Sequence, residues 1–526
     1  MSLADQGQSL VVTEHGLLVA YGQFAKIVGL IKAIEQVSFK MKTVDHSPAD
    51  KVAELLCHIL AGGMHINELG RSAHPLGKDQ AVAQAWGQQS FASASGVSHL
   101  LHAVSSDTVK AIKTAIDQVI EPYRRRILCE LSPSLVVVDF DLLGLVVSDQ
   151  AKTYEGAGFG YLGEINAVGK GYQFARAQLQ GPKGAMVLGG FLHPGRTVSQ
   201  HCLKELVGLV EAQLGRPRRR VECVAARLEA AEGRLAAIKA EVTKLAEKPK
   251  LVASRERLER EQQHVAEEIA GLRVYRDQLA AENDTNPNPP RRIILRLDGG
   301  FGDAQSLAWL YEQGYSFVVR AHHKGVAERL RKENGLHWEK VSKNGFIAEC
   351  NQTMFGKCLY SMRLFACRQL RPEGQPERWS ALVVTPDLDP KGWPVRRVGT
   401  FYNERQVIEA GIKEGKGIFA SRHLPTRRKA GIELYEELVL LAQNLVRWFR
   451  RQFLGSTELA AAGVQELVRI GARSRAEVVL GKKGVIALTF VGDGAWRGIT
   501  VRLKSQFAYQ LSFPFLESIS VLGAGH

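Results

Sequence analysis

No run of 18 apolar residues occurs in the 526-residue chain, which excludes a helix that crosses a bilayer on its own hydrophobicity. The opening residues, MSLADQGQSL, lack the basic stretch followed by an apolar one that marks a secretory signal. Cysteine is sparse: Cys57, Cys129, Cys202, Cys223, Cys350, Cys358 and Cys367 are odd in number, scattered, and contain no C-x-x-C pair. That pattern excludes a disulfide framework and the usual zinc sites. Cys350, Cys358 and Cys367 are closer together, but their spacings of eight and nine read as buried strand positions. Acidic charge is also in deficit, with 54 Asp and Glu against 69 Lys and Arg, a net +15 and a pI near 9.4. Such a balance suits a polyanionic partner, nucleic acid first and a membrane surface second. With 45% hydrophobic and 23% charged residues, the chain has the material for more than one folded domain. A soluble, intracellular protein is the expectation.

What is present divides the chain into regions. Residues 1–130 read as helical. Ser47 and Pro48 open a segment with Val52, Leu55, Leu56, Ile59 and Leu60 at helical spacing, closed by Gly62 and Gly63. SASGVSHLLHAV and SSDTVKAIKTAIDQVI follow, with N-cap serines and a tight junction at Ser105 and Ser106. This pair is either a helix-turn-helix for DNA or plain helix packing. From Leu135 the β-branched run LVVVDFDLLGLVV predicts a strand, and GYQFARAQLQ and AMVLGGFL predict a hairpin. A helix over about 198–214, the strand IILRLDGG, a helix near 304–312 and the strand SFVVRA complete the order of a ribonuclease H-like mixed α/β sheet.

Residues 217–290 are of another kind. Val221, Val224, Leu228, Ala231, Leu235, Ile238, Val242 and Leu245 alternate spacings of three and four, and Leu258, Val265, Leu272 and Leu279 repeat every seven. Pro249 interrupts the run, so an antiparallel coiled-coil hairpin is expected, with a coiled coil between two chains as the alternative. Residues 323–400 read as a β-rich insertion, 401–455 as core helices, and 456–526 as a C-terminal region with a strand pair. The core is thereby split into 131–216, 291–322 and 401–455.

Carboxylates stand at three places where chemistry is plausible. Asp298 ends the strand IILRLD before Gly299 and Gly300; Asp139 and Asp141 share one face of the first long strand. Buried carboxylates on a central strand are costly unless paired or metal-bound. The third is Glu409 in YNERQVIEAGIKEGK, where, on one continuous helix, Tyr402, Arg405, Glu409 and Lys416 fall within an arc of roughly 60°. The separations of 157 residues from Asp141 to Asp298 and 111 from Asp298 to Glu409 each contain one insertion. In a ribonuclease H arrangement the first and fourth strands are neighbours, so Asp141 and Asp298 would meet at one edge.

YNERQVIEAGIKEGK fits Y-x2-R-x3-E-x6-K at Tyr402, Arg405, Glu409 and Lys416. Through it, and through LRLDGGF around Asp298 and the later AQNLV, the chain resembles bacterial insertion-sequence DDE transposases with the YREK signature, over about residues 130–450. The resemblance implies a ribonuclease H-like core with Asp141, Asp298 and Glu409 as catalytic metal ligands for two Mg²⁺ ions, Mn²⁺ being a substitute. It implies Tyr402, Arg405 and Lys416 at DNA phosphates, and cleavage of transposon-end DNA followed by joining of the 3′-hydroxyl to target DNA. Double-stranded DNA would be the partner, with a homodimer in the DNA complex and a cytoplasmic, nucleoid-associated location. Asp141 is favoured over Asp139 as the first aspartate, although Leu142 and Leu143 replace the family's usual small or hydroxyl residues there. The rival expectations are a ribonuclease H-fold nuclease that does not join DNA and a non-catalytic DNA-binding protein with a coiled-coil arm.

Overall fold

A computed structural model describes residues 9–41, 45–131, 135–148, 153–162, 168–182, 184–246, 252–287, 291–481 and 484–503. The chain forms two compact units, one of residues 1–131, 142–197 and 407–526, the other of 132–141 and 198–406. Among the described residues no helix is long and apolar enough to cross a membrane.

In the first unit the expected helices are present. Pro48–Leu60 starts in a capping box between Ser47 and Asp50, which satisfies amide groups that a helix start leaves unpaired. Ala94–Ala103 and Ser106–Glu130 start on the side chains of Ser93 and Ser105. They pack with Lys429–Phe449, whose end is gripped by rings: Tyr123 stacks on Trp448 at 5.2 Å and Tyr21 meets Phe449 edge-on at 4.9 Å. The region is not wholly helical. Ser9–Thr13 is a strand paired antiparallel with Ala476–Gly481, which continues through Gly484–Phe490 to Thr500–Arg502.

The strands that carry the candidate site are β1 Val136–Val146, β2 Val168–Leu179, β3 Met186–Pro194, β4 Ile293–Leu297 and β5 Ser316–Arg320. β2 and β3 form the expected antiparallel hairpin in the first unit; Lys183 of its turn lies outside the described residues. In the second unit β1 pairs parallel with β4 through Val136–Asp139, and β4 pairs parallel with β5. Strand β1 runs through both units, giving the hydrogen-bonded order β3-β2-β1-β4-β5. This is a mixed sheet in which the first and fourth strands are neighbours, consistent with a ribonuclease H-like core.

Three further strands, β6 Gly345–Glu349, β7 Arg363–Gln369 and β8 Arg378–Val384, add antiparallel to β5 in the order β5-β8-β7-β6. Ile294, Val318, Ile347, Phe365 and Leu382 bury one continuous face under Val398. The heptad segment forms two helices, Val221–Ala246 and Val252–Asp284, packed on each other through Val224, Leu228, Ile238, Val265, Leu272 and Leu279. Arg273 pairs with Glu232 at 2.7 Å and Arg234 with Glu268 at 2.5 Å. These pairs run in opposite directions along the two helices, so the hairpin closes on itself within one chain. Pro249 lies outside the described residues. At the hairpin's base, buried Glu312 accepts from Arg227 at 2.6 Å and from the hydroxyls of Tyr275 at 3.1 Å and Tyr360 at 2.6 Å.

Candidate active site

The two aspartates of β1 have different surroundings. Asp139 is fully buried opposite Arg296 of β4, which donates Nε–H and Nη2–H to its two oxygens at 2.7 and 2.9 Å. That fork-on-fork pair is the strong form of a carboxylate contact. Arg296 is itself placed by Phe401, whose carbonyl accepts from Nη1 at 2.9 Å and whose ring lies 4.9 Å below the guanidinium. Asp139 is thus tied into the fold. Asp141, two residues on, is partly exposed and pairs instead with Arg405 at 2.8 Å.

Arg405 is buried and also donates to the Phe140 carbonyl at 3.2 Å. Burial alone would lower its pKa; Asp141 and then Asp298 outweigh that and hold it above its ordinary value. Asp298, half-buried at the end of β4, turns the chain into the short Gly299–Phe301 turn and accepts the Gly300 amide at 2.9 Å. Gly302 is needed beyond it, because a Cβ there would stand 2.0 Å from the Arg320 carbonyl. The second unit therefore brings Asp141, Asp298 and Arg405 into one electrostatic neighbourhood just past the point where the parallel pairing of β1 with β4 ends.

The segment 402–416 is not one helix, which corrects the single-stripe expectation. Val395–Asn403 ends before a turn at Glu404 and Arg405, and Gln406–Gly417 begins after it. No proline or glycine stands at the break. The turn leaves the Arg405 amide on the Tyr402 carbonyl at 3.0 Å, while its guanidinium reaches Asp141. Tyr402 donates its hydroxyl to the Leu297 carbonyl at 3.3 Å, and burial pushes its pKa up despite Arg405 and Arg320 nearby. Glu409 is exposed in the first turn of the second helix and Lys416 lies in its last. Both belong to the first unit, whereas Tyr402 and Arg405 belong to the second. Among the described residues, no three His, Cys, Asp or Glu side chains form a ready metal cluster.

Residues 263–445 match the family model described as the transposase DDE domain. This stretch is similar to a transposase DDE domain. The matched stretch includes Asp298, Tyr402, Arg405, Glu409 and Lys416 and ends inside the helix Lys429–Phe449; Asp141 precedes it. Proteins with this domain act on DNA and generally use divalent metal ions. No curated protein matches the chain.

One feature of the matched stretch lay outside the sequence expectations. A cleft of about 450 Å³ is lined by Arg320, Arg378, Ser380, Gln369, Tyr402 and Gln406, among others. Arg320 stands opposite Leu382, and strand alternation puts Ser380 and Arg378 on the same face of the sheet. Arg320 chiefly, then burial and Arg371, lowers the pKa of Arg378. Arg368 on the rim is neutralised by Glu377 at 2.6 Å, but neither Arg320 nor Arg378 has an ion-pair partner among the described residues. A signal existed in the sequence as Arg320 on a predicted strand and Arg378 in the β-rich segment; what brings them together is the pairing of β5 with β8.

Proposed function

We propose that this protein cleaves transposon-end DNA and joins the freed 3′-hydroxyl to target DNA, with Asp141, Asp298 and Glu409 as its catalytic carboxylates. The observation that carries this reading is the Arg405–Asp141 ion pair beside Asp298. It ties the signature arginine to the strand that supplies the first aspartate. Asp139 is discounted because its two oxygens are taken by Arg296.

The donor set fits a divalent ion. Carboxylate oxygens are the ligands that Mg²⁺ prefers, and the pair of aspartates already draws a cation, Arg405, into their field. When bound, such ions would activate the attacking water or 3′-hydroxyl and stabilise the leaving oxygen of an in-line displacement. Asp141 and Asp298 would hold them, with Glu409 as the third ligand. Arg405 would then turn its charge to the scissile phosphate, Tyr402 would fix the turn that aims it, and Lys416 would meet a second phosphate. The helical region of residues 1–130 is assigned to binding the element's ends, and 217–290 and 323–400 to insertions in the core.

The arginine cleft supports this reading, because a row of unneutralised cations beginning at Tyr402 suits the phosphates of a DNA strand. Arg320→Ala with Arg378→Ala is expected to weaken binding to end DNA. The slope of log K against log[salt] should become shallower by about 0.9 for each phosphate the protein no longer neutralises. Binding measured across a salt series checks this, and an unchanged slope would remove the cleft from the DNA path. The function itself is tested with Mg²⁺, labelled end DNA and a target plasmid: a cleaved 3′ end and a joined product are expected. Cleavage that never yields a joined product would mark a nuclease instead.

A further inference from the structure

Gly411 and Gly415 are unexpected residues in a helix that is to hold a catalytic carboxylate, since each weakens it by about 1 kcal/mol relative to alanine. Packing within the first unit explains the first, whereas a Cβ at the second would be in ordinary contact. A Cβ at Gly411 would stand 2.9 Å from Oε1 of Gln178 and 3.3 Å from Nη2 of Arg176; one at Gly415 would stand 3.5 Å from Nε2 of Gln443. Arg176 and Gln178 project from β2 and Gln443 from Lys429–Phe449, and all three are at most 1% exposed. Arg176 donates to Gln178 at 3.0 Å and to Gln443 at 3.3 Å. Gln443 in turn donates Nε2–H to the Gly411 carbonyl at 2.7 Å. The buried guanidinium has a carboxyl in its field, Glu436, which Ser421 meets at 2.8 Å. The next residue, Asn444, ties the same long helix to β3 by accepting from the Val187 amide at 2.9 Å and donating to its carbonyl at 2.8 Å.

We propose that Arg176 and Gln443 are positioning residues, with Gln178 only filling the space beside Gly411. They clamp the helix Gln406–Gly417 at Gly411, two residues after Glu409, and so set the depth and rotation at which Glu409 is presented. This rests on the reading of Glu409 as a catalytic carboxylate. Glycine at 411 is the condition for the clamp, because a Cβ there would stand 2.9 Å from Oε1 of the buried Gln178. The strength of the effect follows from geometry: a displacement of about 1 Å at a reacting centre can cost about 10²-fold in rate. A misplaced carboxylate would also need more metal to be occupied.

The test uses the full chain with Gly411→Ala and Gln443→Leu, and with Gly411→Ala combined with Gln178→Ala, which gives the new methyl the room it lacks. Three measurements are made: amide hydrogen exchange of 406–417 without DNA, single-turnover cleavage across a Mg²⁺ series, and end-DNA binding. Both single variants should exchange faster in 406–417, cleave about 10²-fold more slowly, need more Mg²⁺ for half-maximal rate, and bind DNA as the wild type does. Gln178→Ala should restore slow exchange and most of the cleavage to Gly411→Ala. Unchanged exchange, or cleavage falling only in proportion to binding, would overturn the clamp. The exchange measurement decides this without reference to chemistry. Survival of cleavage in Glu409→Gln would instead overturn the catalytic reading on which the clamp's purpose depends.

Discussion

Glu409→Gln is expected to lower strand cleavage by about 10³-fold while leaving end-DNA binding close to that of the wild type. The magnitude follows if Glu409 is, as proposed, one anionic ligand of a metal site that supplies several kcal/mol of transition-state stabilisation, at about 1.4 kcal/mol per factor of ten. Glutamine keeps the shape and the helix propensity but not the charge. Glu409 is exposed in the first turn of Gln406–Gly417, so its removal leaves no hole in a core. Asp298→Asn should act in the same way. Cleavage and gel-shift measurements on one preparation check this, and a parallel drop in binding would show that Glu409 serves DNA rather than metal.

Asp139→Ala is expected to cost about 3–5 kcal/mol of stability, because it leaves the buried guanidinium of Arg296 without its carboxylate. The remaining contacts of Arg296 do not replace it: Glu404 at 3.2 Å is 62% exposed, and screening by water weakens such pairs. Asp141→Asn should cost far less, since Asn still offers Arg405 an acceptor and the site is nearer solvent. Urea unfolding of the two variants separates the structural aspartate from the one proposed to be functional. Equal destabilisation, or a larger one at Asp141, would contradict that division.

This pair of aspartates marks where the sequence stops being sufficient. Alternation along a strand places Asp139 and Asp141 on one face and cannot choose between them. The choice is made by the register of β1 against β4, which sets Arg296 opposite Asp139, and register depends on a strand more than 150 residues away. The heptads of 221–279 were legible because a period of seven carries its own packing partner. The strand Ser9–Thr13 was not, since its partner is Ala476–Gly481 near the other end of the chain.

The segment 402–416 was misleading in its shape. Periodicity alone reads 402–416 as one helix, yet tertiary contacts of Arg405 with Asp141 and Phe140 accompany a turn that no local breaker announces. Gly411 and Gly415 look like defects by propensity, a local quantity. Gly411 is a space for Gln178 and Arg176, which come from β2.

The most direct measurement takes DNA from the two ends of the genomic segment around the gene, with purified protein, Mg²⁺ and a supercoiled target. It follows the 3′ ends on a denaturing gel for the wild type and for Asp298→Asn. The account predicts cleavage at the segment's ends and a joined product from the wild type, and neither from Asp298→Asn at equal DNA binding. Cleavage or joining that continues unchanged in Asp298→Asn would contradict it.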